Sequence, residues 1–238
     1  MFLNERAARA FSKSTDFANL IAYLCNMNVN QESTITHIIP RLKEVNGIVA
    51  ACSDGTMTFE QAYAVARFYY DYQDTNLLIA RAESMATGDA GRLREFAISL
   101  KDETATLIDN ISILDGTDFK AIANAHSRQF YSVFQEASEE LNPYWKRYCE
   151  LNNRLDYLPL GSKAYAEAEK ECEEAKTEHD ARQTEVKKLY AGYETESHRA
   201  GDVFSLKASH LYALVARLNG IAGSIITDLD RAEKGDRR

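Results

Sequence analysis

The chain has 238 residues, of which 45% are hydrophobic and 27% charged, with only 3 prolines and 11 glycines. This composition excludes a disordered or collagen-like chain and favours helices, because proline and glycine weaken helix interiors. The formal net charge of −8 argues against a nucleic-acid binder, which needs a basic footprint. Four cysteines without a Cys-x-x-Cys pair predict reduced thiols and a cytoplasmic protein.

The N-terminal segment, 1–28, has an amphipathic pattern. Its apolar side chains lie beside three basic ones, Arg6, Arg9 and Lys13, and only Glu5 is acidic among the first thirteen residues. Such a helix could lie in a lipid interface with the three bases at the headgroups. A helix docked on the protein's own bundle fits the same pattern.

Every segment beyond this shows helical periodicity, and none alternates as a half-buried strand would. We therefore predict an all-α fold. Broad apolar faces over 34–86 and 203–229 predict a thick central body, and the closing helix contributes Leu211, Leu214 and Leu218 to its core or to a dimer seam.

The longest periodic segment, 118–158, predicts a coiled-coil helix of about 60 Å, because its apolar residues step by four and three for about five heptads. Phe119, Phe130 and Tyr148 belong to its seam. Pro143 lies inside the segment and predicts a kink, since a proline ring clashes with the preceding turn of a helix.

A turn at Leu158–Ser162 precedes a second long seam, Tyr165–Ala200. The apolar stripe of this segment is narrow and built from small residues, while its outer face is almost purely charged. Isolated helices are marginal in water, so a segment of this kind needs a partner helix.

The sequence contains no pattern typical of catalysis or metal binding. The five histidines form no Glu-x-x-His or His-Glu-x-x-His arrangement. Phosphate-binding glycine loops and nucleophile elbows are also absent. We therefore predict a protein that is not an enzyme and that needs no cofactor and no metal.

Five stretches carry a family resemblance: Leu141–Trp145 in the long helix, the Leu158–Ser162 turn, Tyr165–Lys170 in the returning helix, and His198–Arg199 with Leu206–Leu218 in the closing helix. In this order they resemble a BAR domain, the crescent-shaped helical dimer that binds curved membranes. The resemblance implies long kinked helices in an antiparallel three-helix coiled coil, paired into an elongated homodimer. It also adds Trp145 to the seam.

The resemblance further implies that basic side chains on one curved face and at the tips meet anionic phospholipid. The matching positions are Lys120, Arg128, Lys146, Arg147, Arg154, Lys163 and Lys170. The chain departs from the family between 160 and 190, where eight acidic residues outnumber six basic ones. These acids must segregate to the convex side if the membrane is to be bound electrostatically.

We therefore expect an N-terminal amphipathic segment at 1–28, a BAR-like helical domain at 29–232 and a charged tail at 233–238. The expected function is a peripheral scaffold or curvature sensor on anionic membranes. The same crescent could instead bind a protein, such as a small GTPase or another coiled coil. A third alternative is a helical pore-forming protein that inserts 208–229, against which the polar Arg217 and Asn219 weigh.

Overall fold

A computed structural model describes residues 37–52, 56–74 and 90–234. These residues are helical and form no strand, which confirms the predicted all-α class. They form six α-helices, α1 (Ile38–Ala51), α2 (Phe59–Tyr72), α3 (Ala90–Asn110), α4 (Phe119–Leu155), α5 (Lys163–Ser205) and α6 (Ala208–Lys234). A short 3-10 helix, Ile111–Gly116, lies between α3 and α4. The chain divides into two compact units: a helical body, which ends at Phe119 and resumes at Ser205, and a helical hairpin, Lys120–Phe204.

Local sequence signals explain the start of α2 and the buried face of α1. The start of α2 is a capping box, in which the Thr58 hydroxyl accepts a hydrogen bond from the Gln61 amide at 3.3 Å. The Gln61 side chain accepts one in return from the Thr58 amide at 2.9 Å. This exchange satisfies two backbone donors that a helix start leaves unpaired. In α1, the buried residues follow the helical repeat: Ile38, Leu42, Val45 and Val49.

The core of the body lies mainly between α3 and α6, and α3 also packs against α1. One cluster joins Leu93 and Ala97 of α3 to Ile225 and Leu229 of α6. The predicted core residues of the closing helix are buried as well: Leu211, Leu214 and Leu218. Their burial confirms the broad apolar face that the sequence predicts for this helix.

A polar contact fixes the register of α6 on α3 within this apolar core. Thr104 is fully buried, and its hydroxyl donates to the Leu100 carbonyl at 2.7 Å. The Asn219 amide donates to the Thr104 hydroxyl at 2.9 Å and to the Lys101 carbonyl at 3.1 Å. Buried polar groups are tolerated when they are paired in this way.

The hairpin consists of α4 and α5 packed antiparallel. Near the body, Lys120 lies over the Phe204 ring at 5.3 Å. Further along, Arg182 lies over the Tyr144 ring at 4.0 Å. Close to the turn, Arg154 pairs with Glu171 at 3.4 Å. The residue numbers of the contacts rise along α4 while they fall along α5, as expected for two antiparallel helices joined by the Leu158–Ser162 turn.

The structure confirms two long helices where the periodicity predicts them. Helix α4 ends three residues before the predicted end of its segment, and α5 continues to Ser205, past the predicted end of its seam at Ala200. His198 and Arg199, which the resemblance assigns to the closing helix, therefore lie in α5. Helix α4 has 37 residues and α5 has 43, which correspond to about 55 and 65 Å of helix. Helix α4 continues through Pro143, so the proline does not end it. The kink there, the antiparallel three-helix coiled coil and the pairing of two copies stay predictions.

Candidate interaction surface of the helical hairpin

The turn between α4 and α5 is closed by its own hydrogen bonds. The Tyr157 amide donates to the Arg154 carbonyl at 3.2 Å, and the Ser162 amide donates to the Pro159 carbonyl at 3.1 Å. Gly161 has a φ of +77°, which favours glycine because a Cβ is disfavoured there. The Ser162 hydroxyl accepts from the Tyr165 amide at 3.1 Å and caps α5.

Three of the predicted lipid-binding residues, Arg6, Arg9 and Lys13, lie outside the described residues. The other seven are exposed on the hairpin: Lys120, Arg128, Lys146, Arg147, Arg154, Lys163 and Lys170. Their exposure is what a role at a charged surface requires.

Four of these seven bases have an acidic partner. Arg147 lies 3.2 Å from Glu178 across the hairpin, as Arg154 lies 3.4 Å from Glu171. Two further pairs lie along α5, each one turn apart: Lys163–Glu167 at 3.7 Å and Lys170–Glu174 at 3.8 Å. All four pairs are exposed, so each contributes little stability and can open for another anion.

Arg128 and Lys146 differ from these four bases. Neither has a salt-bridge partner among the described residues. The hairpin as a whole, between 120 and 204, contains sixteen acidic and twelve basic residues. Any anionic ligand is therefore attracted by local groups of bases and not by the net charge of the hairpin.

The predicted seam residues of α4 differ in exposure. Phe119 is buried, while Phe130 is half-buried with its ring 5.0 Å from the His126 ring. Tyr148 is half-buried and lies 5.7 Å from Trp145. Trp145 is 51% exposed, so its role in a dimer seam stays a prediction.

An aromatic cluster in the middle of the hairpin is not part of the predicted seams as a whole. It consists of Tyr131, Phe134, Tyr190 and Tyr193. Phe134 lies 5.2 Å from Tyr190 and stacks on Tyr193 at 6.2 Å. Tyr131 lies 5.6 Å from Tyr193. The three-residue spacing of each pair along its helix is the signal that could have revealed the cluster, which we call the mid-hairpin aromatic cluster.

The same part of the hairpin exposes apolar side chains. Tyr131 and Val133 of α4 and Leu189 and Tyr190 of α5 are 37% to 49% exposed. Two packed helices leave such residues uncovered because each has only one neighbour in the hairpin. Tyr131 and Val133 are two residues apart, which places them about 200° apart around α4 and on different sides of the hairpin. Each side therefore offers exposed apolar contact area to a partner.

Closer to the body, a charged cluster links α4 to α5. His126 Nε2 lies 2.7 Å from Glu196 Oε2, and Arg199 Nη1 lies 2.8 Å from the same oxygen. Burial alone would raise the pKa of Glu196, but the hydrogen bonds from His126 and Arg199 outweigh this effect and hold the pKa below its ordinary value. Glu196 therefore stays ionised and ties the two helices together.

The turn itself carries two apolar side chains that the predicted site residues do not include. Tyr157 is 87% exposed and Leu160 is 89% exposed. Among the described residues, the next most exposed large apolar side chain is Trp145. Leu158, between the two, is half-buried. The turn therefore directs two apolar groups outward while a third anchors it.

Neither a metal site nor a membrane span is found in the part of the chain that the structure describes. No group of three or more histidine, cysteine, aspartate or glutamate side chains there could hold a metal ion. No helix there is both long and apolar enough to cross a bilayer.

The chain matches no family model, no curated protein and no solved structure.

Proposed function

We propose that this chain is a non-enzymatic, BAR-like scaffold that forms a homodimer and binds anionic membranes peripherally, on the cytoplasmic side. Each protomer of the proposed dimer contains the antiparallel three-helix coiled coil that the resemblance implies. The observation that carries the proposal is the incomplete covering of the two-helix hairpin, which leaves large apolar side chains exposed on its sides. The exposed side chains are Tyr131, Val133, Leu189 and Tyr190.

Self-association is supported by the narrow packing of α5. Its buried residues toward the turn are small, such as Ala168, Cys172 and Ala175. Small side chains bury little apolar area, and burial of apolar area is the main source of helix stability in a packed protein. A second copy laid against one side of the hairpin would cover the apolar residues exposed on that side and supply part of the missing area.

Membrane binding is supported by the bases on the hairpin. Arg128 and Lys146 have no acidic partner among the described residues, and the pairs of Arg147 and Arg154 are exposed and weak. Each base near an anionic leaflet contributes about 1 kcal/mol and is screened by salt. Several of them must therefore act together, and two copies would double their number.

A protein partner in place of lipid is the second candidate. It is favoured by the excess of acidic residues in the hairpin, which has sixteen acidic and twelve basic residues. Such a surface repels anionic lipid wherever the bases are not grouped. An exposed aromatic surface such as Tyr131 and Tyr190 is also typical of protein interfaces.

Vesicle co-sedimentation separates these two candidates. We expect the wild type to bind vesicles that contain phosphatidylserine and to bind them less tightly at about 0.5 M salt. It should not bind vesicles of neutral phosphatidylcholine. Binding that is absent from all vesicles, with dimerisation intact, would favour the protein-binding scaffold.

Charge reversal of neighbouring residues tests the contribution of individual bases. We expect K146E to weaken binding several-fold, because Lys146 has no acidic partner among the described residues. R147E is the variant for comparison, since Arg147 must release Glu178 before it can contact lipid. A smaller loss for R147E than for K146E supports contact through the unpaired base, and equal or reversed losses contradict it.

A further inference from the structure

We infer that the α4–α5 turn is a membrane anchor whose apolar pair, Tyr157 and Leu160, enters the lipid interface. This inference rests on the proposed function and adds a hydrophobic contact to it. The pair is 87% and 89% exposed, and the next most exposed large apolar side chain among the described residues is Trp145 at 51%. Exposure of this extent is unfavourable in water unless the side chains have a partner.

The turn is preorganised for insertion. Its hydrogen bonds, the Pro159 ring and the Ser162 cap hold Tyr157 and Leu160 outward. Half-buried Leu158 anchors the backbone between them. Because the turn is already ordered in the free protein, little conformational entropy is lost when it contacts the membrane.

The charges around the turn select an anionic lipid surface. Between 154 and 163, Arg154 and Lys163 outnumber the single acid, Asp156, although the hairpin as a whole is acidic. The pairs of both bases, with Glu171 and Glu167, are exposed and can be exchanged for lipid phosphate. Basic residues beside a few inserted apolar groups are the arrangement of an interfacial anchor.

The small size of the patch favours lipid over a protein. A stable protein interface buries about 800 Å² on each partner, and two side chains on a convex turn cannot supply that area. A lipid interface needs no complementary shape. Tyrosine is also enriched at the headgroup level, where its ring is buried and its hydroxyl stays hydrated.

The first experiment removes the apolar pair and keeps the turn. Y157S/L160S retains Gly161, Ser162 and the backbone hydrogen bonds. I98S/Y212S is the control, because it removes an exposed aliphatic and an exposed aromatic side chain from the body. We expect partitioning onto phosphatidylserine vesicles to fall about tenfold or more in Y157S/L160S and to change little in the control. Circular dichroism and mass should match the wild type.

A second measurement reports insertion directly. The chain has one tryptophan, Trp145, so W145F/Y157W carries a single probe at the turn. Its emission should shift to shorter wavelength, and acrylamide should quench it less, when phosphatidylserine vesicles are added. W145F/Y212W places the probe on the body and should show neither change.

The outcomes separate the two proposals. If the wild type binds vesicles but Y157S/L160S binds equally well, or the Y157W emission does not shift on bound vesicles, the anchor is wrong and the proposed function stands. If the wild type binds no vesicles, membrane binding and the anchor fail together. Loss of binding in Y157S/L160S with an emission shift in W145F/Y157W supports the anchor.

Discussion

Glu196 shows at the scale of single residues how the hairpin is held together. Its carboxylate accepts from His126 and Arg199 at 2.7 and 2.8 Å, and these bonds keep its pKa below the ordinary value despite burial. A carboxyl group whose pKa is lowered by folding stabilises the folded state once it is ionised in both states. This contribution is therefore complete above the ordinary glutamate pKa of about 4.3 and is lost as the pH falls through that value toward the folded one.

We predict that E196Q lowers the free energy of unfolding by about 1 kcal/mol near pH 7 and by less near pH 3. Urea denaturation of both proteins at a series of pH values measures this difference. E185Q is the control, because the salt-bridge partner of Glu185 among the described residues is the exposed Lys188, and the substitution should change stability little at any pH. A difference between E196Q and wild type that stays constant down to pH 3 contradicts the role of the ionised carboxylate.

The turn shows at the element scale how one backbone conformation ends a helix and starts the next. Gly161 is the one described residue with a positive φ, and a Cβ there would meet no atom within 4 Å. Any cost of a side chain at this position therefore comes from the backbone and not from a clash. For an ordinary residue, the left-handed conformation costs about 1–2 kcal/mol.

We predict that G161A lowers the melting temperature while G192A raises it. Gly192 lies inside α5, where a Cβ also meets nothing within 4 Å, and alanine in a helix interior is favoured over glycine by about 0.5–1 kcal/mol. Thermal unfolding followed by circular dichroism checks both variants. A stabilised G161A would show that the turn does not require the left-handed conformation.

At the scale of the whole molecule, the proposal requires two copies. The chain mass is 26.8 kDa, and light scattering during size exclusion should give twice this value. We predict that V133E weakens the dimer at least several-fold, because a charge would be buried without a partner where the apolar surface meets its copy. Val133 is 49% exposed in the single chain, so a glutamate at this position is hydrated before two copies pair.

S132E is the matched control for this substitution. Ser132 precedes Val133 on α4, is exposed, projects about 100° away from Val133 around the helix, and also gains a negative charge. The mass of S132E should stay at the dimer value at concentrations where V133E dissociates. A wild type that is monomeric at every concentration removes the dimer from the proposal.

Particular elements show what could be predicted before the structure was known. The heptad steps from Phe119 and the small-residue stripe at Ala168, Cys172 and Ala175 indicate the two long helices, because side-chain periodicity reports helix faces directly. Glycine and proline at 159–161 mark the turn for the same local reason. The buried face of α6 follows from its apolar spacing.

Other features depend on which residues meet in space. The mid-hairpin aromatic cluster joins Phe134 to Tyr190 and Tyr193, and the Glu196 site joins Glu196 to His126, each across about 55 to 70 residues of chain. Periodicity along one helix does not tell which residue of the other helix lies opposite.

The sequence by itself determined the all-α class, the approximate length of α4, and the turn that follows it, because these follow from local spacing and backbone preference. Only the tertiary structure decided that Arg147 and Arg154 have acidic partners, that Glu196 is held ionised, and that Tyr157 and Leu160 are exposed. The physical reason is that charge pairing and exposure depend on which side chains share a neighbourhood. The register of α4 against α5 sets that neighbourhood.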